Sequence, residues 1–312
     1  MELLQVRVRD LDSIDKGILR DLRANCRTTY QAMSDRYGVT ANAIRNRVKN
    51  LEEKGVIADY VLRLGFATAG LSPFFALAYS RESLDNKQFV ESVGGHRLVS
   101  RVGFDSYGSC VIIGAYASAM DLSEFTEFIR GLEEVRDSEI HPIPTRLGGK
   151  TELSNLQLRV IKGLRDDPRK PIAKIAQESA LTARRVRSTL DQLMERESIR
   201  LTIFVDPNAG DSIWLTFRIQ WDPSETSASD IREELQIGFP DDFFNEAHSA
   251  TEPVMWADFL IERVSDSKDI THAIKSIPSA RVANTILPFG FKTFPGLMET
   301  TLDGLLAEAG LL

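Results

Sequence analysis

The stretches from Leu11 to Ile57 and from Leu153 to Ile199 align without a gap at a constant shift of 142 residues, and this internal repeat constrains the fold more than any other feature. Apolar residues recur in step: Ile14/Leu156, Ile18/Val160, Leu22/Leu164, Met33/Ile175, Val39/Leu181, Ile44/Val186, Val48/Leu190, Leu51/Leu193 and Ile57/Ile199. A shared period of 3.6 with shared breaks over 47 residues predicts a duplicated helical unit.

The remaining composition bounds the answer. A chain of 312 residues, 43% hydrophobic and 27% charged, can bury several ordinary cores. No window holds 18 uninterrupted apolar residues, and the Met1–Arg7 start lacks a cationic segment followed by an apolar one. No membrane partner and a cytoplasmic location are therefore expected. Cys26 and Cys110 stand alone and four histidines (His96, His141, His248, His272) are scattered, which predicts neither a disulfide framework nor a zinc site. No cofactor is called for, and both cysteines read as small buried apolar side chains.

Net charge is −7, but it is unevenly placed. Residues 11–57 hold nine Lys/Arg against six Asp/Glu, and residues 153–199 hold ten against six. These +3 and +4 segments leave −14 on the rest, so two basic modules ride on an acidic body. Such a split draws a polyanion to the modules and repels it elsewhere.

In the first copy, Asp12 or Ser13 caps a helix ending near Asn25-Cys26, and Thr28 or Thr29 opens a short helix to Tyr37. Gly38 suits a turn with positive φ, and Thr40 caps a third helix from Ala41 to about Lys54. Two short helices joined by a Gly-containing turn are the helix-turn-helix pattern, whose second helix enters the major groove of duplex DNA. With Ile44, Val48 and Leu51 turned inward, Asn42, Arg45, Asn46 and Lys49 face out. Arg forks onto guanine, Asn onto adenine, and Lys meets phosphate. The second copy has Thr182 as cap, with Arg184, Arg185, Arg187 and Ser188 outward. The candidate DNA contacts are thus Arg27, Thr40, Asn42, Arg45, Asn46 and Lys49, and Arg169, Thr182, Arg184, Arg185 and Arg187 in the second copy. Behind each third helix, Val56–Leu62 and Ile199–Val205 alternate and end near Gly65 or Gly70 and Gly210, which predicts a two-stranded wing in each module.

The second part of each repeat alternates strands and helices. The expected order is strand 74–81, helix 86–93, strands 97–104 and 109–118, helix 121–132 and strand 135–143. It recurs as 213–221, 228–237, 242–251, 254–262, 266–276 and 281–288, a ferredoxin-like βαββαβ pattern. Ile213, Leu215, Phe217 and Ile219 line one sheet face, expected to pack against the other half.

The series Leu11-Asp12-Ser13-Ile14-Asp15-Lys16-Gly17-Ile18-Leu19, Asn25, Arg27, Thr40 to Arg47-Val48 and Leu51-Glu52-x-x-Gly55-Val56-Ile57 resembles the helix-turn-helix of the Lrp/AsnC family of transcription regulators. The βαββαβ unit resembles that family's effector-binding and dimerisation domain. The second copy departs from the pattern: Ser154 and Gln157 replace the two Asp, Thr189 replaces Arg47 and Glu197 replaces Gly55. Its Asp206-Pro207-x-x-Gly210 is similar to the family's segment after the wing. The resemblance implies double-stranded DNA as partner, a homodimer, and a small-molecule effector, often an amino acid, near a Gly-x-Tyr-Asp-like turn. Gly103-Phe104-Asp105 matches that turn in part.

The expected fold class is α+β: winged helix-turn-helix domains at 1–66 and 147–210 alternate with ferredoxin-like βαββαβ domains at 67–146 and 211–312. The tail from Leu297 to Ala309 reads as an amphipathic helix capping the body or another chain. Gly148-Gly149-Lys150-Thr151 has the end of a P-loop, but Pro144 stands where its first Gly belongs, so it reads as a linker. Glu133-Glu134 and Asp241-Asp242 have no nucleophile or isolated His beside them and read as solvated pairs. No catalytic residues are assigned, and the chain is expected not to be an enzyme. Two alternatives stay open: a co-regulator that docks protein, and an enzyme like the sirohaem decarboxylases, which also resemble this family and for which His96-Arg97 is the nearest feature.

Overall fold

The structure, a computed structural model, describes residues 11–80, 87–145, 152–206, 209 and 213–312. Gly210 and the linker 147–150 with its P-loop-like end lie outside these residues.

Local caps set the first three helices. Asp12 accepts the Asp15 N–H at 2.9 Å and starts α1 (Ser13–Ala24), Thr29 starts α2 (Tyr30–Tyr37), and Thr40 starts α3 (Ala41–Glu53). Gly38 closes α2 at φ +67°, where a side chain would meet its own carbonyl. Ile18, Leu22, Met33, Ile44 and Val48 are wholly buried between these helices. The chain continues through β1 (Ile57–Leu64) and the single turn α4 (Phe66–Ala69) to β2 (Ser72–Tyr79), α5 (Lys87–Gly94), β3 (Val99–Asp105), β4 (Cys110–Tyr116), α6 (Ala119–Arg130) and β5 (Asp137–Pro142). The same kinds of element follow as α7 (Asn155–Leu164), α8 (Ile172–Glu178), α9 (Ala183–Glu195), β6 (Ile199–Val205), β7 (Ile213–Gln220), α10 (Ala228–Gly238), β8 (Phe243–His248), β9 (Val254–Ile261), α11 (Ser267–Ser276) and β10 (Arg281–Ile286). Ala180 and Glu197 adopt φ of 51° and 52° at the places where the first module has Gly38 and Gly55. The backbone turn is kept there without the residue that makes it easy.

Sheet order is β10-β7-β9-β8 in one body and β3-β4-β2-β5 in the other, the ferredoxin-like arrangement in each. Three expectations need correction. Among the described residues no two-stranded wing forms within a module: β1 pairs antiparallel with β6, Tyr60 opposite Ile203 and Leu64 opposite Ile199. After β1 the chain enters α4 instead of a hairpin, so the strand's hydrogen-bonding edge is met by the equivalent strand of the other module. Next, the last expected strand stops at Ile286, and a new strand β11 (Pro288–Thr293) crosses to pair with β3. Gly103 allows this, because a Cβ there would stand 2.6 Å from the Phe291 ring.

The third correction concerns the sheet faces. Leu215, Phe217 and Ile219 are covered by α10 and α11 of their own half, through Ile231, Leu235, Ile270 and Ile274. The opposite face, carrying Arg218 and Trp256, meets the first sheet through Leu77, Val111, Val254 and Ile286. An apolar face adjoining amphipathic helices of its own chain segment is buried locally, which leaves the mixed face for the partner sheet. There Phe75 packs on Trp256 with centroids 4.6 Å apart, and Glu139 accepts from Arg218 at 2.6 Å and from the Tyr79 hydroxyl at 2.9 Å. The helices of both modules, β1, β6 and the C-terminal helix α12 (Leu297–Glu308) share one apolar cluster, in which Leu306 is wholly buried. Among the described residues no helix is long and apolar enough to cross a membrane.

Candidate DNA interface

On α3 the inward stripe of Ile44, Val48 and Leu51 leaves Asn42, Arg45, Asn46 and Lys49 exposed. The Arg45 guanidinium stands 5.8 Å from the centre of the Tyr30 ring, which orients it at the helix surface. Lys49 is paired with Glu53 at 3.3 Å, an exposed contact that a phosphate can displace. On α9, Arg184, Arg185 and Arg187 are all exposed around the buried Val186 and Leu190. Thr40 and Thr182 act as caps, their hydroxyls accepting the Ala43 and Arg185 N–H groups at 3.1 and 3.2 Å.

Arg27 and Arg169 are placed differently. The Arg27 guanidinium donates to the Pro168 and Lys170 carbonyls at 2.8 and 2.9 Å. Arg169 donates to the hydroxyls of Tyr60 and Tyr30, both at 2.9 Å, and lies over both rings. Each reaches into the other module, so the pair clasps the two modules together instead of facing outward. Tyr60 also donates to Glu52 at 2.6 Å, and burial pushes its hydroxyl pKa well above the usual value. Cys26 continues the joint, its N–H reaching the Leu201 carbonyl at 2.8 Å, while burial raises its thiol to about 11.

Arg47 was not among the candidate contacts, and it turns inward to Asp12 and Asp15 at 2.9 and 2.8 Å, joining α3 to α1. The Asp241-Asp242 pair also gains a role that solvation does not explain. Asp242 meets the buried Lys16 at 2.6 Å and Asp241 meets Arg20 at 3.5 Å, which ties the second sheet body to α1.

Gly103, Phe104 and Asp105 end β3, with Phe104 in the core and the Asp105 carboxylate accepting the N–H groups of Tyr107 and Ser109, both at 2.9 Å. Burial raises the Asp105 pKa. Asp105 borders a cavity of about 440 Å³ whose wall includes Tyr79, Tyr107, Arg136 and Asn284. His96 packs against Phe125 and Phe128, and Arg97 forms an exposed pair with Asp121 at 2.6 Å.

Residues 11–58 match the winged helix-turn-helix DNA-binding family model. The chain is 32% identical over 136 residues to the HTH-type transcriptional regulator LrpA of Mycobacterium tuberculosis, covering 40% of this chain and 85% of that protein. It is 33% identical over 79 residues to LrpB of Bacillus subtilis, covering 24% of this chain and 53% of that regulator. Over nearly its whole length the fold is similar to the solved siroheme decarboxylase NirDL, with a TM-score of 0.51, 13% identity, and 96% and 100% of the two chains covered. This overturns the expectation that the chain is not an enzyme, since solved structures similar to it over nearly its whole length are those of an enzyme. Identity at that level carries the fold and not the reaction. The match to LrpA, together with a helix-turn-helix whose third helix exposes Asn42, Arg45 and Asn46, shows that the chain belongs to the Lrp/AsnC family of helix-turn-helix transcriptional regulators.

Proposed function

We propose that this regulator is a tandem duplicate that presents two helix-turn-helix modules to duplex DNA from one chain, its halves pairing as the two subunits of a dimer would. The observation that carries this reading is the clasp of Arg27 and Arg169 beside the β1–β6 ribbon. Modules held at a fixed separation read half-sites at a fixed spacing. In this reading Asn42, Arg45 and Asn46 read bases, while Arg184, Arg185 and Arg187 supply backbone affinity. Two chains pairing would present four modules. A small-molecule effector such as an amino acid is assigned to the cavity beside Asp105, where Arg136 can meet a carboxylate.

Capture of genomic DNA by the purified chain, followed by sequencing, tests the reading. Enriched sites with two half-sites at constant spacing support it. Absence of salt-sensitive duplex binding would favour protein docking. The whole-chain likeness to NirDL supports a second reading, an enzyme acting on a tetrapyrrole, and a Soret absorbance that persists after purification with added siroheme would support it.

A further inference from the structure

A cavity of about 610 Å³ lies under the β1–β6 ribbon, between the two sheets and the end of α1. Five arginines line it: Arg20, Arg23, Arg63, Arg101 and Arg200. The lining holds one carboxylate, Asp258. It accepts from the Thr216 hydroxyl at 2.6 Å, and burial raises its pKa, so it is a poor counter-ion.

The guanidiniums are only partly satisfied. Arg20 donates to the Pro240 carbonyl and meets Asp241 at 3.5 Å, and Arg23 donates to the Phe244 carbonyl at 3.0 Å and to Asn245 at 2.5 Å. Arg63 and Arg101 have no ion pair among the described residues. Both stack on Phe204, at 4.5 and 5.1 Å, and the Arg101 Nε has no hydrogen-bond partner. Arg63 stands directly opposite Arg200 in the ribbon, an arrangement of like charges that opposes strand pairing. Burial, with Arg63 and Arg23 nearby, pulls Arg101 down to about 9, and Glu299 on α12 offsets this only in part. Buried charge of one sign is normally matched by the other. Among the described residues the charge on half-buried Arg23, Arg63 and Arg101, with Arg200 exposed at the rim, is met only in part by Asp258 and Glu299.

We infer that this chamber is a ligand site for a small molecule carrying two or more anionic groups on a flat ring system. Paired guanidiniums on the ribbon and on β3 suit separate anionic groups. Trp214, Trp256 and Phe244 on the walls suit a planar body, for which a bare phosphate has no use. A duplex cannot enter a cavity roofed by the ribbon, so the site is distinct from the candidate DNA face. A tetrapyrrole is one such molecule, so the inference rests in part on the second reading above, and saturable probe binding without a persistent siroheme Soret band would fail that reading and leave the site standing.

The test titrates the full chain with pyrene-1,3,6,8-tetrasulfonate and follows Trp214 and Trp256 by fluorescence quenching, with calorimetry for stoichiometry. One probe per chain is expected to bind saturably, and neutral pyrenemethanol more weakly by about ten-fold or more. Arg63→Met and Arg101→Met should each weaken the probe by about ten-fold or more, while Arg184→Ala with Arg185→Ala leaves it within about two-fold. Unliganded Arg101→Met should melt no lower than the parent chain, because an uncompensated charge has been removed. Absence of saturable binding, equal loss in the Arg184/Arg185 variant, parent-like binding by both Met variants, or a markedly lower melting temperature for Arg101→Met would each overturn the assignment.

Discussion

Arg47 on α3 holds Asp15 on α1 at 2.8 Å, and 142 residues further on these positions are Thr189 and Gln157, so both charges are absent from the second module together. Ser154 and Gln157 instead form a capping box, and Thr189 is buried. Loss of one partner alone leaves a part-buried charge unpaired. Arg47→Thr should therefore destabilise the chain by about 1–3 kcal/mol. The triple change Asp12→Ser, Asp15→Gln and Arg47→Thr should recover much of that loss, as read from chemical denaturation. A triple variant less stable than Arg47→Thr would mean that the pair is not the unit that changed.

The positive φ of Ala180 and Glu197 gives a prediction of opposite sign. Ala180→Gly and Glu197→Gly should each stabilise by roughly 0.5–1 kcal/mol, because relief of a left-handed Cβ outweighs the entropy that Gly adds to the unfolded chain. Lower melting temperatures for both would refute the strain.

The two outer helices should differ in what they contribute. Arg45→Ala is expected to weaken specific sites by about 1–3 kcal/mol more than random duplex. Replacing Arg184 and Arg185 together should lower the slope of log affinity against log salt by about two and leave sequence preference in place. Gel-shift titrations at several salt concentrations separate the two effects, and a changed preference with an unchanged slope would reverse the assignment.

Glu139 should make the sheet-to-sheet contact acid-sensitive. Its carboxyl lies next to His141 Nε2 at 3.1 Å as well as Arg218, and hydrogen bonding by His141, with Arg218 and Tyr79, lowers its pKa to about 2. Its stabilisation is present above the ordinary value of 4.5 and is lost as pH falls toward 2. Glu139→Gln should cost about 1–3 kcal/mol at neutral pH and flatten the fall in stability across that window. Parallel pH curves for variant and parent would remove Glu139 from this role.

Much of the molecule was legible in local pattern. The caps at Asp12, Thr29, Thr40 and Thr182, the turn at Gly38 and the outward set on α3 depend on residues within one or two turns of each other. Strand order in each body followed from alternation and chain order. What tertiary structure alone decided is where long-range partners fall. An arginine has the same sequence signature whether it stands exposed on a helix, as Arg45 does, clasps a neighbouring module, as Arg169 does, or lines a chamber, as Arg63 and Arg101 do. Lys16 finds Asp242 across 226 residues, β1 finds β6, and β11 leaves its own half for β3. Periodicity reports which face of an element is apolar; which neighbour covers that face, and which charges are left for a ligand, is set only when the chain closes on itself.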